Sequence, residues 1–320
     1  MDIHVLIRNL RVKQGLSQKE VASGIMSPSA YSKFESGERA FTSKELDRIL
    51  TKLDAHLKDL SSIELLKDPT NSKLRALTQA VQKDTLDLNE LKNLHTRLKA
   101  QKDYSIKSYR NYLYVKHHFK NYTNSVDPIT TQEINQLFNQ IKEKKYLTYY
   151  HLQLVSDFTP HFTAEQLLFF WKILRIYRVE SMSALDHAYL QFFLMALSNI
   201  TDTLIDKAVI DHDAPDLELL AYAEECCDKL SDILTIYPSF NFSLLFSLFR
   251  IRLAYYKAVE IEEKMVALNK AQLYKKEIEF LVNMRDYDGK KIKTNAEIVL
   301  YSLTNLLETG MPGKVTYFID

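Results

Sequence analysis

Ser29, Ser32 and Lys33 lie within Pro28 to Glu35, a short helical run in which offsets of three and four residues bring all three side chains to one face. Two hydroxyls and an ammonium near the front of a short helix suit hydrogen bonding to base edges in the major groove of DNA. Gln18 and Ser27 sit at element starts and Arg39 in the loop beyond, positions from which side chains usually hold phosphate. With Pro28, which opens the helix, these residues form the candidate DNA contact. Ser29, Ser32 and Lys33 would specify sequence; the others would position the unit.

That placement demands a helix, a turn and a second helix. Ser17 followed by Glu20 is a capping box that starts a helix at Gln18 and turns Val21 and Ala22 inward. Gly24 supplies a tight turn without a Cβ penalty, and Ile25 and Met26 fill the gap. Ser27 then caps the second helix at Pro28, with Tyr31 and Phe34 as its core anchors. Ala22 is small where two steeply crossed helices approach. Upstream, Ile3, Leu6, Ile7 and Leu10 predict a first helix closed by Gly15. Downstream, Thr42 with Glu45 caps a fourth helix with Leu46, Ile49, Leu50 and Leu53 inward, and His56 to Leu66 predicts a fifth before Asp68-Pro69. Residues 1–66 are expected to form a five-helix, helix-turn-helix DNA-binding domain.

The 320 residues include 42 Lys and Arg against 41 Asp and Glu, for a net charge of +1. No overall field marks a nucleic-acid binder, so local geometry must present the positive face. A weakly charged reader fits an oligomer that needs two half-sites. No glycine occurs between Gly37 and Gly289, which disfavours glycine-rich phosphate loops. Adjacent Cys226 and Cys227 suit neither a zinc site nor a disulfide framework and imply a reducing compartment. The start of the chain lacks a secretion pattern and no long apolar run follows, so a cytoplasmic location is expected. His117, His118, His151, His161 and His187 lack metal-ligand spacing, and Asp211-His212-Asp213 reads as a solvated turn. No nucleophile motif occurs. Neither enzyme activity nor a cofactor is expected.

Residues 67–103 read as a polar linker and the first helices of a second domain, with Leu91, Leu94 and Leu98 forming a stripe that packs within the chain or faces a partner copy. From Tyr104 onward, amphipathic helices alternate with short breaks at Asp127-Pro128, Thr159-Pro160, Ala214-Pro215 and Tyr237-Pro238, and Thr130 with Glu133 and Thr163 with Gln166 are further capping boxes. Helices are predicted over Tyr104–Asn121, Thr131–Lys144, Leu147–Asp157, Ala164–Tyr177, Ala184–Ile200, Asp216–Ile236, Phe240–Lys257, Glu260–Asp286 with an internal break, and Thr294–Leu307. The spacing of helical pairs matches α-solenoid repeats, although the tetratricopeptide consensus residues are poorly kept. A curved stack of hairpins over residues 104–308 offers a groove for an extended peptide, where aromatics such as Tyr189 and Phe193 could take apolar side chains. Gly310, Pro312 and Gly313 stop the last helix, and Val315, Tyr317 and Phe318 form an extended tail within 309–320.

Gly24-Ile25-Met26-Ser27, with Tyr31, Glu35, Gly37 and Arg39, resembles the Rgg and PrgX type of peptide-pheromone receptors, the RRNPP regulators of Gram-positive bacteria. The resemblance is specific over residues 1–66 and architectural beyond them. It implies an all-α fold: an Xre or lambda-repressor-like helix-turn-helix domain followed by a tetratricopeptide-like α-solenoid. It also implies a homodimer or tetramer on paired promoter half-sites, switched by a short hydrophobic signalling peptide in the repeats, with the tail as a regulatory arm. Asn199, Asn111 and Asn241 are the candidates for holding a peptide backbone, since one amide both donates and accepts, and Arg175 or Arg250 for its carboxylate. The recognition helix departs from strong readers in lacking arginine and glutamine pairs, so readout leans on DNA shape. The alternative reading is a ligand-independent repressor whose repeats serve oligomerisation or a protein partner.

Overall fold

The computed structural model describes residues 3–55, 69–82, 85–144, 147–180, 187–211, 214–286, 289, 291 and 294–311. The expected helix over 56–66, most of the tail and His212-Asp213 lie outside them. Every regular element described is helical, with one isolated antiparallel bridge between Arg285 and Lys291. The contacts divide the chain into two units, Met1–Leu94 and His95–Asp320.

In the first unit, α1 (Ile3–Lys13), α2 (Gln18–Ala22), α3 (Pro28–Glu35) and α4 (Ser43–Lys52) close around Leu6, Ile7, Val21, Ala22, Tyr31, Phe34, Ile49, Leu50 and Leu53. Their starts are fixed locally. Both capping boxes form: Ser17 Oγ accepts from Glu20 N and Thr42 Oγ1 from Glu45 N, while each glutamate reaches back to the cap amide. Gly24 has φ +77° in the turn between α2 and α3, a conformation that side chains with a Cβ rarely adopt. Gly37 has φ +82°, and a Cβ there would meet the His4 imidazole at 3.1 Å. α5 (Pro69–Gln82) begins at the proline itself, a favoured first helical position, where the sequence suggested a linker. In α6 (Leu88–Gln101), Leu91, Leu94 and Leu98 are buried within the chain, so this stripe does not face a partner.

The second unit stacks α7 (Ile106–Phe119), α8 (Thr131–Ile141), α9 (Tyr149–Phe158), α10 (Ala164–Leu174), α11 (His187–Ala208), α12 (Leu217–Ile236), α13 (Phe240–Lys257), α14 (Ile261–Val282) and α15 (Ala296–Thr309). Helices α7, α9, α11, α13 and α15 touch in succession as one row. The others back it: α8 packs on α7, α10 on α11, α12 on α11 and α13, and α14 on α13 and α15. The capping boxes at Thr130 and Thr163 start α8 and α10 as expected. One expectation is corrected, because α14 runs unbroken. It contains no glycine or proline, and Ala267, Ala271 and Ile278 keep one continuous buried face.

Candidate DNA and peptide sites

Helix α3 is held from behind by one carboxylate. Glu35 is buried and accepts from Arg11 Nε at 2.6 Å, Arg11 Nη2 at 2.8 Å and Gln18 Nε2 at 2.7 Å. The forked guanidinium matches the carboxylate geometry, so α1, α2 and α3 are tied at one point. Burial alone would raise the Glu35 carboxyl, but the bonds from Arg11 and Gln18 outweigh it and hold the group below its ordinary range. The sequence offered no signal for this pairing, which spans 24 residues.

The clamp assigns the candidate DNA residues to different tasks. Ser29, Ser32 and Lys33 are exposed on α3, opposite the buried Tyr31, Phe34 and Glu35. Ser27 is spent on capping, its Oγ accepting from Ala30 N at 3.1 Å, and Pro28 occupies the first turn. Gln18 is committed to Glu35, and Arg39 donates to Glu45 Oε1 at 2.7 Å and lies 3.2 Å from the Met26 sulfur. Three side chains therefore face solvent on one helix face, while Gln18 and Arg39 are tied to the domain's interior bonds.

In the second unit the row of α7, α9, α11 and α13 buries polar groups. Asn199 on α11 donates through Nδ2 to Ser156 O at 2.9 Å on α9, and Arg110 on α7 reaches the next residue, donating Nε to Asp157 Oδ2 at 2.7 Å. Helix α9 is thus gripped on consecutive residues from two neighbours. The buried Oδ1 atoms of Asn199 and Asn111 accept no hydrogen bond among the described residues. Such acceptors are uncommon in protein interiors, and an amide donor would satisfy them. Tyr189 OH donates to Leu147 O at 2.7 Å, and Phe193 packs edge-on against Tyr177.

The other peptide candidates lie elsewhere. Asn241 is exposed at the start of α13, where its Oδ1 accepts from Asn295 N at 3.1 Å just before α15. Arg175 is the exposed C-cap of α10. Arg250 is exposed beside α12, 3.1 Å from Asp228 and 3.7 Å from Glu224. The apolar surroundings read for Arg250 belong to Arg252, which is fully buried between Asp202 and Asp206 of α11. Burial works against its charge, but the two carboxylates outweigh that and raise its pKa. Helix α13 is apolar nearly all round, so periodicity did not tell the two arginines apart. A histidine cluster was likewise read as unrelated residues: His117 Nδ1 lies 2.9 Å from His161 Nε2, and His118 stands edge-on to His117. Burial first, then the neighbouring histidines, push His117 down to about 3, and burial pushes His118 down to about 4. Among the described residues, no group of three or more His, Cys, Asp or Glu could hold a metal ion, and no helix is long and apolar enough to cross a membrane.

An amino-terminal unit that presents α3 from a helix-turn-helix, joined to a stack of helical hairpins, defines the class. Residues 7–60 match a helix-turn-helix family. No curated protein matches the chain. Among solved structures, the SHP pheromone receptor Rgg2 of Streptococcus dysgalactiae is similar at 13% identity and TM-score 0.62, covering 97% of this chain and 100% of that one. A PrgX/cCF10 complex is similar at 13% identity and TM-score 0.61, over 99% and 97% of the two chains. A bacterial peptide pheromone/receptor complex follows at 15% identity and TM-score 0.53, over 86% and 92%. The chain has the fold of Rgg2 and PrgX over nearly its whole length, as the resemblance in its first residues implied.

Proposed function

We propose that this chain is a transcriptional regulator of the RRNPP type that binds promoter DNA as a homo-oligomer and is switched by a short hydrophobic signalling peptide. Residues 1–66 read DNA through Ser29, Ser32 and Lys33, and residues 104–308 hold the peptide. The observation that carries the peptide half is the pair of buried, unpartnered acceptors on Asn111 and Asn199. Extended peptide backbones present amide donors at regular intervals, so two such acceptors in one row of helices suit a ligand read by its main chain. The exposed triad on α3, set in a domain matched as helix-turn-helix, supports the DNA half. The tail of residues 309–320 acts as the regulatory arm.

The test is native mass spectrometry of the full chain titrated with short hydrophobic peptides encoded beside its gene, paired with fluorescence anisotropy on the neighbouring promoter. A stoichiometric peptide complex that Asn199→Ala weakens, with promoter binding lost in Ser29→Ala/Lys33→Ala, is the expected result. Promoter binding with no response to any peptide would replace this reading with the ligand-independent repressor.

A further inference from the structure

The carboxyl ends of three helices in the row of the second unit meet around a cluster of bases. His117, His118 and Lys120 close α7, and His161 ends the short 3-10 turn Thr159–His161 that follows α9. Lys207 lies in the last turn of α11, which packs on that turn. His117 Nδ1 is 2.9 Å from His161 Nε2, so one ring donates and the other accepts. In either tautomer the neutral pair has one N–H donor to spare, and one added proton gives it two. Among the described residues neither ring makes a second hydrogen bond, and all three imidazoles are half-buried.

The charges acting on these imidazoles are of one sign. Burial first, then Lys120 and Lys207, hold His161 below its ordinary range; Lys120 acts on His117 in the same sense, and Arg110 on His118. The nearby acids are spent elsewhere. Asp157 accepts from Arg110 at 2.7 Å, and Asp206, the carboxylate that acts on Lys207, accepts from Arg252 at 2.6 Å. Among the described residues neither Lys120 nor Lys207 has an ion-pair partner. Cations in the last turn of a helix offset its dipole, but that role requires neither a half-buried lysine nor an imidazole pair.

We propose that this cluster is a binding site for a phosphate-bearing anion, held by Lys120 and Lys207 with His117 and His161 donating. The donors arrive from three separate elements, which surrounds a tetrahedral oxyanion better than it matches the two coplanar oxygens of a carboxylate. The anion supplies the counter-charge that the surrounding side chains do not, and the imidazole pair takes up a proton as it binds. The site uses none of the candidate DNA or peptide residues.

The full chain is titrated with inorganic phosphate by calorimetry at constant ionic strength, with a glycerol phosphate and acetate as parallel arms. One phosphate binds per chain, and Lys207→Gln and Lys120→Gln each weaken it about tenfold or more, the loss of one charge-assisted contact. Lys270→Gln, at an exposed lysine of α14, leaves it unchanged. Lys120 is exposed, so its variant keeps the test decisive if Lys207→Gln fails to fold. By NMR, the pH at which the His117 and His161 rings titrate moves upward in saturating phosphate. A glycerol phosphate that binds tighter than the free ion supports the site with a phosphorylated metabolite as ligand, and the reverse supports it with phosphate itself. Acetate binding as tightly as phosphate overturns the assignment. So does the absence of saturable binding, and so does phosphate binding that survives both lysine variants but is lost in Ser29→Ala/Lys33→Ala, which puts the ion on the first unit.

Discussion

Glu35 in the first unit and Arg252 in the second are both buried ions, and they are held differently. Glu35 takes three hydrogen bonds from Arg11 and Gln18, and the cluster joins three helices around a core that leaves the candidate DNA residues Ser29, Ser32 and Lys33 outside it. Arg252 is set between two carboxylates, and its Nε donates to nothing among the described residues. In the same unit Asn111 Oδ1, Asn199 Oδ1 and Ser198 Oγ are also buried without a partner among the described residues, as Tyr31 OH is in the first unit. The candidate DNA residues of the first unit lie on its surface. The candidate peptide residues Asn111 and Asn199 of the second lie inside, where a buried acceptor without a partner is costly.

The sharpest way to break this contrast is Arg252→Ala, which leaves Asp202 and Asp206 buried without their cation. A loss of about 3–5 kcal/mol is expected, seen as a lowered calorimetric transition of the second unit. Glu35→Gln keeps the shape of the clamp but not its charge, and about 2 kcal/mol should go from the first unit alone. A common drop in both transitions would mean that the units do not melt separately.

The buried histidines give the second unit a pH dependence. His117 and His118 stay neutral when folded, at about 3 and about 4, whereas unfolded histidine titrates near its ordinary 6.5. Between those values the unfolded chain takes up protons and the folded one does not, so stability falls as pH drops from about 6.5 toward 4. The slope is up to about 1.4 kcal/mol per pH unit for each histidine kept neutral. Urea midpoints measured between pH 7 and pH 5 should show it, and His117→Gln should flatten it. The depressed carboxylates Glu35 and Glu133 act below that window, because stability tied to a lowered acid is lost only as pH falls through its own range.

Smaller effects separate capping from contact. Thr42→Ala removes the side-chain acceptor of α4 and should cost about 1 kcal/mol in the first unit by urea melting. Lys33→Ala should change stability by less than about 0.5 kcal/mol while weakening promoter binding, because the side chain is exposed. A large stability loss there would show that α3 is not the free face it is taken to be.

The helices and their starts were legible because capping boxes, Gly24 and the apolar spacing act within a few residues. Tyr31 and Phe34 were placed in the core for the same reason, and so was the free face bearing Ser29, Ser32 and Lys33. The break expected inside α14 was not there, since nothing local terminates that helix. Arg250 was chosen over Arg252 because two arginines in an apolar helix look alike until the neighbouring acids are known. The exposure of Val266, Leu273 and Phe280 on α14 was invisible for a related reason. Helical periodicity marks an apolar face, and only packing tells whether the chain itself covers it.

The sequence by itself determined an all-helical chain, a helix-turn-helix at its start and the residues that turn and cap its helices, because each depends on neighbours a few positions away. The tertiary structure alone decided that Glu35 ties Arg11 to Gln18, that Arg252 sits between Asp202 and Asp206, that His117 meets His161, and that Asn111 and Asn199 keep an acceptor in reserve. Each of these depends on which distant side chains share a low-dielectric interior. There hydrogen bonds and charge pairs gain their strength, and local sequence carries no record of who the partner will be.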